Sequence, residues 1–218
     1  MSTDTLALPA TALATAAHTL INQALAPHLV NHSIRGYLFA RGYASLQGLQ
    51  PDRDYNEENL FLICALHDLG LAEIANGDQQ FEIDGADYAA RFLEDNGVTD
   101  DRVDTVWEGI AAHTNNFTGS PVFRRRRPAE IWIAVHGIGL DVGGSPDDLP
   151  PGVAESAHRA YPRLGGTPAL TRAVERQALA KPVKAPPCTF AGELVHQRHP
   201  ELPYPTLDAL FSTNGWDN

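Results

Sequence analysis

The sequence predicts an all-α protein in which helices pack around one strongly apolar central helix. Apolar residues recur at the helical spacing i, i+3, i+4 and i+7 along several segments of the chain. Residues that commonly begin and end helices separate these segments. No convincing pair of strand-like segments, internal repeat or low-complexity segment accompanies them. Together these observations favour a helical bundle with an N-terminal helix and short C-terminal helices.

Length and composition favour one folded domain. A chain of 218 residues suffices for one well-filled core but is short for two, and 43% hydrophobic residues exclude a mainly disordered chain. We expect a single domain over 1–218, with a core at about 28–165. The N-terminal helix over 10–26 and a C-terminal extension over 166–218 would flank this core.

The charge balance limits the partners. A formal net charge of −11 disfavours a nucleic-acid binder, whose affinity depends largely on neutralising phosphates. It fits a protein that acts on a small-molecule substrate. The uncharged, Ala-rich first helix and the Pro-rich tail weakly favour contacts with a second subunit, and therefore a homo-oligomer.

The location expected from the sequence is the cytosol. Residues 5–34 contain no charged side chain, but polar residues and Pro27 interrupt this run before it reaches the length of a membrane span. The first basic residue is Arg35, so the basic start of a signal peptide is missing. The two cysteines, Cys64 and Cys188, are too few for a disulfide framework or a thiolate zinc site.

Several helix boundaries follow from start and stop signals. Asn31 is a good N-cap and predicts the start of the second helix, while the third is expected over 57–75. Asp84, followed by Asp87, predicts a cap for a fourth helix that runs to about Asn96. The later helices are expected from Thr99 or Asp100, from Pro128, and near 152–161, 168–180 and 188–198, before an extended tail.

The third helix carries the first functional signal. Leu60, Ile63, Cys64 and His67 lie on one apolar stripe, and Asp68 follows the histidine directly. An imidazole and a carboxylate buried together need a partner, and a metal ion is one such partner. A hydrogen-bonded core pair would give the same pattern, so the doublet alone leaves both interpretations open.

Two further residues extend this signal. Asp141 continues the buried stripe of the sixth predicted helix, where a carboxylate is out of place unless it is functional. His32 lies near the start of the second helix. Two imidazoles and two carboxylates from three helices would suit a divalent ion, so His32, His67, Asp68 and Asp141 are the predicted metal ligands.

The order His32, His67-Asp68 and Asp141 on successive helices resembles the HD-domain superfamily of metal-dependent hydrolases. The resemblance covers roughly residues 28–165. Within the superfamily, four stretches look like the cyanamide hydratase-like branch, and Tyr161-Pro162-Arg163 is also similar to that group. These stretches are Asn31-His32-Ser33, the run into His67-Asp68-Leu69-Gly70, Phe81-Glu82-Ile83-Asp84-Gly85-Ala86, and Gly139-Leu140-Asp141-Val142.

The resemblance implies a lyase-type hydratase with one divalent metal, zinc first and iron or manganese as alternatives. A bound ion lowers the pKa of its water from about 15.7 to about 7, and the resulting hydroxide would add to the nitrile carbon of cyanamide, giving urea. Asp68, His113 and Glu82 are the predicted catalytic residues, and His113 would move the proton. Asp84 is a weaker candidate for that step, and a satisfied core histidine remains the alternative interpretation of His113.

Three other functions stay open at this level. An HD phosphohydrolase acting on a nucleotide or small phosphate ester would need cations, for which only Arg35 and the run Arg124–Arg127 are candidates. A solvated charge run before a helix is the more common explanation of the run Arg124–Arg127. A ligand-binding sensor has no need of four buried ligand-type residues. A two-iron oxygenase would need more histidines than His113 and His136, the only two between the doublet and Asp141.

Overall fold

The computed structural model describes residues 6–212 and residue 215, and this part of the chain is helical throughout, without a β-sheet. An isolated bridge between Pro51 and Tyr55 is the one β-type pairing in it. The all-α prediction is therefore confirmed. The helices are α1 (Ala12–Ala24), α2 (Pro27–Leu46), α3 (Glu57–Leu66), α4 (Phe81–Asp95), α5 (Arg102–Ala112), α6 (Pro121–Arg126), α7 (Ala129–Gly143), α8 (Val153–Ala160), α9 (Gly166–Ala180), α10 (Phe190–Arg198) and α11 (Leu207–Ser212).

Helix α3 lies at the centre of the core. Every side chain over 60–66 is fully buried, and the helix packs against α1, α2, α5 and α7. A helix that is apolar on all sides needs neighbours on all sides, which is why the other helices surround it. Its N-terminus is capped by Asn56, whose side chain accepts a hydrogen bond from the Asn59 amide.

The most extensive helix pair is α2 with α7, and small residues bring the two helices close together. A Cβ atom at Gly137 would lie 2.4 Å from the backbone nitrogen of Ala40 and 2.5 Å from the carbonyl oxygen of Gly36. Only glycine therefore allows this crossing. His32 lies one turn before Gly36, and Asp141 lies one turn after Gly137, so the antiparallel crossing places these two side chains opposite each other.

A second close contact brings α4 against the segment that follows the doublet. A Cβ atom at Gly70 would lie 1.8 Å from the carbonyl oxygen of Phe81, at the start of α4. Two short 3₁₀ turns, Leu69–Leu71 and Glu73–Ala75, carry the chain away from this point. The first turn of α4, including Glu82, consequently lies beside the end of α3.

Two predicted boundaries were wrong. Helix α2 begins at Pro27 rather than Asn31, because proline is well suited to the first helical position, and the Asn31 side chain instead donates to the carbonyl oxygen of Pro162. Helix α3 ends at Leu66 rather than near 75, with His67 as its C-cap. The predicted helix over 10–26 is confirmed by α1.

Three other expectations were also wrong. Asp84 does not cap α4: it lies inside the first turn and forms a buried ion pair with Lys184. Ser120 caps a short helix, α6, where only a loop and a solvated arginine run were expected. Part of the tail forms α11 instead of being extended.

The C-terminal helices α9 and α10 close one side of the molecule over a small apolar cluster formed by Phe81, Val174, Ala178 and Ala191. Gln177 on α9 donates to the carbonyl oxygen of Gly70, 2.7 Å away, so this part of the extension holds the segment after the doublet. None of the described helices combines the length and the apolar character needed to cross a membrane.

Candidate metal centre

His67 and Asp68 lie where α3 ends, and the helix terminus orients the histidine. His67 Nδ1 donates to the free carbonyl oxygen of Cys64, 2.8 Å away, which is the usual way to satisfy one of the last carbonyls of a helix. With the proton on Nδ1, the Nε2 atom carries the lone pair of the neutral ring. Both residues are almost completely buried, with 1% and 2% of their surface exposed.

His32 approaches from α2 and is oriented by Asp141 on α7. His32 Nδ1 donates to Asp141 Oδ2 over 2.7 Å, which leaves His32 Nε2 as the free nitrogen. Arg35 forms a two-point contact with the same carboxylate: Nε lies 2.7 Å from Oδ1, and Nη2 lies 2.7 Å from Oδ2. Asp141 is therefore already saturated by a cation and an imidazole.

The chain around Tyr161 completes this arrangement. Arg35 Nη1 donates to the carbonyl oxygens of Tyr161 and Pro162, and Arg163 donates to the carbonyl oxygen of Asp141. Arg35 is thus fully engaged in positioning Asp141. It is not free to bind a phosphate, although the sequence had left that possibility open. His158 Nε2, on α8, lies 3.8 Å from Asp141 Oδ1.

His32, His67 and Asp68 come together as a compact, buried cluster. Each offers one ligand atom, and these three atoms lie within 4.8 Å of one another. The two histidine rings are in edge contact, with centroids 5.1 Å apart. Asp141 is not part of this cluster, since its oxygens face His32 and Arg35, so its role as a fourth ligand stays a prediction.

The cluster fits a divalent cation because one of its oxygens has no other partner. Asp68 Oδ2 is buried and accepts no hydrogen bond, although it lies 3.3 Å from His67 Nε2. Two atoms that carry lone pairs thus face each other, and a buried carboxylate oxygen without a partner is costly. A cation between them would satisfy both atoms, and two imidazoles with a carboxylate are ligands that suit zinc or iron.

The pKa shifts of His67 and Asp68 also indicate that the cluster needs a cation. Burial lowers the pKa of His67, but the facing Asp68 carboxylate outweighs burial and leaves that pKa above its usual value. Burial raises the pKa of Asp68, and His67 more than offsets this, so the pKa lies well below the usual range. Asp68 is therefore ionised, and the cluster needs positive charge, from a protonated His67 or from a metal ion.

His113, at the end of α5, is the third histidine of the site. Its ring centroid lies 4.8 Å from that of His67, and its Nδ1 donates to the carbonyl oxygen of Ile110 over 2.7 Å. Burial, with a smaller contribution from His67, lowers the pKa of His113 to about 3, so the ring is neutral at physiological pH. Its Nε2 is consequently a hydrogen-bond acceptor.

A surface cavity of about 440 Å³ reaches His113 from outside. None of the three cluster residues lines it, so His113 stands between the cavity and the cluster. Trp132 is half-buried and forms one wall of this cavity. Polar side chains of the lining include Asn115, Asn116, Thr118, Arg124 and His136.

Glu82, on the first turn of α4, lies beside the site. Its Oε1 accepts a hydrogen bond from Thr114, 2.8 Å away, while its Oε2 is buried without a partner. Burial raises the pKa of Glu82, and the Asp68 carboxylate adds to this effect. Thr114 follows His113 directly and lines the cavity, so Glu82 reaches the site through it. Asp84, by contrast, is held by Lys184 and takes no part.

The structure therefore brings His32, His67 and Asp68 together, with Asp141, His113 and Glu82 around them. The positioning roles of Arg35 and Arg163 were missed. Arg35 follows His32 by three residues and shares its face of α2, a spacing that places the two side chains side by side but does not identify Asp141 as their partner. Arg163 belongs to the Tyr161-Pro162-Arg163 stretch that carried part of the resemblance, but its hydrogen bond to the carbonyl oxygen of Asp141 depends on how the chain after α8 packs.

Comparison with known proteins agrees with this geometry. The family model of the HD domain matches residues 29–149, more than half of the chain, and spans His32, the His67-Asp68 doublet and Asp141. A search of curated proteins found no match. The chain therefore belongs to the HD domain family, whose helical fold and buried His-Asp cluster indicate a metal-dependent enzyme of the hydrolase type.

Proposed function

We propose that this protein is a metal-dependent hydratase that adds water to a small nitrile, with cyanamide as the substrate and urea as the product. The observation that carries the proposal is the buried cluster of His32, His67 and Asp68, with its unsatisfied Asp68 oxygen next to a neutral His113. The choice of cyanamide rests on the stretches around His32, His67 and Asp141 that resemble the cyanamide hydratase-like branch.

His32, His67 and Asp68 would hold one divalent ion, with Asp141 fixing the orientation of His32. When bound, such an ion polarises the substrate and lowers the pKa of a coordinated water. An outer carboxylate that orients a ligating histidine commonly strengthens metal binding, which is the role that the saturated Asp141 suits best.

His113 would move the proton in this reaction. Because its Nδ1 is occupied by the carbonyl oxygen of Ile110, only Nε2 can accept the proton of the water that adds to the nitrile carbon. The C–O bond forms as one C–N π bond breaks, and His113 passes the proton taken from the water to the nitrile nitrogen. Tautomerisation of this adduct gives urea, so cyanamide and water are fully accounted for.

Glu82 would assist through Thr114. A pKa raised by burial and a buried, unpartnered Oε2 are features typical of carboxyl groups at functional sites. The hydrogen bond from Thr114 to Oε1 fixes the carboxyl group beside His113.

A phosphohydrolase acting on a nucleotide or small phosphate ester is the second candidate. One observation favours it: the guanidinium group of Arg124 lines the cavity that leads to His113, where a phosphate would need a cation. The other cation considered, Arg35, is engaged by Asp141 and offers no support.

The experiment that separates the candidates is an assay of the purified protein with cyanamide, scored by urea release, beside an assay with para-nitrophenyl phosphate. We expect urea formation in the wild-type protein and none in His67→Ala, with no release of nitrophenol. Phosphate ester cleavage without urea formation would replace the hydratase proposal with the phosphohydrolase.

A further inference from the structure

The cavity that leads to His113 has an unusual charge for this protein. The chain carries a formal net charge of −11, yet among the described residues no acidic side chain lines this cavity, and Arg124 is the one permanently charged residue of its lining. His136 is the other basic residue of the lining that lies away from the metal cluster. Burial, together with Arg124, lowers the pKa of His136 and so keeps its ring neutral. A positive cavity in an acidic protein selects anions.

Arg124 is held in place rather than free at the surface. Its guanidinium lies over the ring of Trp132, with its central carbon 4.8 Å from the ring centroid. Its Nε donates to the carbonyl oxygen of Thr118, 3.3 Å away. These contacts fix the plane of the group and occupy Nε, so the two terminal nitrogens remain to form hydrogen bonds with a ligand.

The size of the cavity also exceeds the needs of cyanamide. A water molecule takes about 30 Å³ of liquid volume, and cyanamide is only a few times larger, whereas the cavity measures about 440 Å³. This volume falls in the range of about 300–1,000 Å³ that is typical of sites for larger small molecules. Asn115 and Asn116 add amide groups to the same wall.

We propose that Arg124 binds an anionic, oxygen-rich group of the substrate, a carboxylate or a phosphate, in the cavity that leads to His113. The natural substrate would then carry such a group in addition to the reacting atoms, and cyanamide would be its minimal form. The identity of the reacting group rests on the proposed function; the anion site rests on the cavity alone.

Calorimetric titration with inorganic phosphate and with cyanoacetate, at low ionic strength, tests the anion site directly. The purified metal-containing protein is compared with Arg124→Gln, Arg124→Lys and Arg125→Gln. Arg125 is exposed and lies outside the cavity, so its substitution is a control that makes the same change in charge. Circular dichroism confirms that each variant is folded. The two anions distinguish a phosphate site from a carboxylate site.

We expect wild type and Arg125→Gln to bind at least one of the two anions with equal affinity. Arg124→Gln should weaken this binding by about tenfold or more, because a charge-assisted pair is lost. Arg124→Lys should lie between them, since it keeps the charge but not the planar group. Equal binding in all four proteins, or no anion binding in the wild type, would overturn the inference.

The anion site and the proposed function can fail separately. Anion binding that depends on Arg124, in a protein that forms no urea from cyanamide, would support this site and remove the hydratase function. The protein could instead form urea while substitutions of Arg124 leave anion binding unchanged, as expected if the anion contacted only the metal. This result would support the hydratase function and overturn the anion site.

Discussion

The carboxylates of Asp141 and Asp68, which lie next to His32 and His67, differ in their hydrogen bonding. Asp141 accepts hydrogen bonds from Arg35 and His32 on its two oxygens. Asp68 is as deeply buried, but its Oδ2 has no hydrogen-bond partner and faces the free nitrogen of His67. The difference teaches that two equally buried carboxylates can differ in their need for a cation. In the proposed function, the carboxylate that lacks a partner binds the metal ion, whereas the saturated one orients a neighbouring histidine.

The largest effect is expected from Asp68→Asn. The substitution preserves size but removes the charge that the cation would neutralise, so we predict loss of the bound metal and of turnover together. Elemental analysis and the urea assay measure both quantities. Circular dichroism should show a helical content equal to that of the wild type.

The matched change, Asp141→Asn, should have a smaller effect. Asp141→Asn leaves the three residues of the cluster unchanged, but it disturbs the orientation of His32 and leaves the buried Arg35 without its carboxylate partner. We predict a decrease in metal affinity of about 10–100-fold, measured by competition with a chelator. If Asp141→Asn loses the metal as completely as Asp68→Asn does, Asp141 is itself a ligand and the comparison fails.

His113→Ala should separate rate from metal content. His113 lies next to His67 but outside the cluster, so we predict a wild-type metal content and a turnover lower by about 10²–10⁴-fold. His136→Ala is the control, since His136 lines the same cavity but stacks on Tyr43. A His113→Ala protein without metal would mean that His113 is a ligand.

Arg35→Met should cost stability, because it leaves the Asp141 carboxylate buried without its cation. Breaking such a buried pair typically costs about 3–5 kcal/mol, measurable by urea denaturation of the metal-free protein. The double variant Arg35→Met/Asp141→Asn should recover part of that loss. A single variant that is as stable as the wild type would show that the pair does not hold α2 and α7 together.

The smallest effect is expected from Glu82→Gln, and it should depend on pH. Burial raises the pKa of Glu82 in the folded state, so ionisation costs stability above the pKa of the unfolded chain and costs nothing below it. Glu82→Gln should therefore raise the Tm of the metal-free protein at pH 7 by more than at pH 4. An equal increase in Tm at pH 7 and pH 4 would argue that ionisation of Glu82 does not destabilise the folded protein.

The doublet and the fold class could be predicted because their signals are local. Apolar periodicity identifies α3 as the buried helix, and the same stripe places His67 in the core. Asp141 could be predicted for the same reason, as a carboxylate on a buried face. In each case the decisive residues lie within two helical turns of one another.

The errors arose where distant segments decide the structure. Asp84 has the sequence appearance of a cap, but Lys184, a hundred residues later, makes it a buried ion pair. Helix α3 stops at Leu66, where the closeness of Gly70 to α4 redirects the chain. Arg35 pairs with Asp141 only because α2 and α7 cross at Gly137, and no local pattern encodes that crossing.

The failure to predict α6, which carries the arginine run, is an error of another kind, since a sequence signal for this helix was present. Ser120 followed by Pro121 is a common start of a helix, and together they begin the short α6 that carries Arg124 to the cavity. That Arg124 would stack on Trp132, while Arg125 and Arg126 face solvent, depends on how α6 packs against α7.

The central claim is that His32, His67 and Asp68 bind one divalent ion. Calorimetric titration of the metal-free protein with Zn²⁺, supported by elemental analysis of the protein as purified, measures this most directly. The account predicts one ion per chain in the wild type and none in Asp68→Asn. Two ions per chain, no binding at all, or binding that survives Asp68→Asn would contradict it.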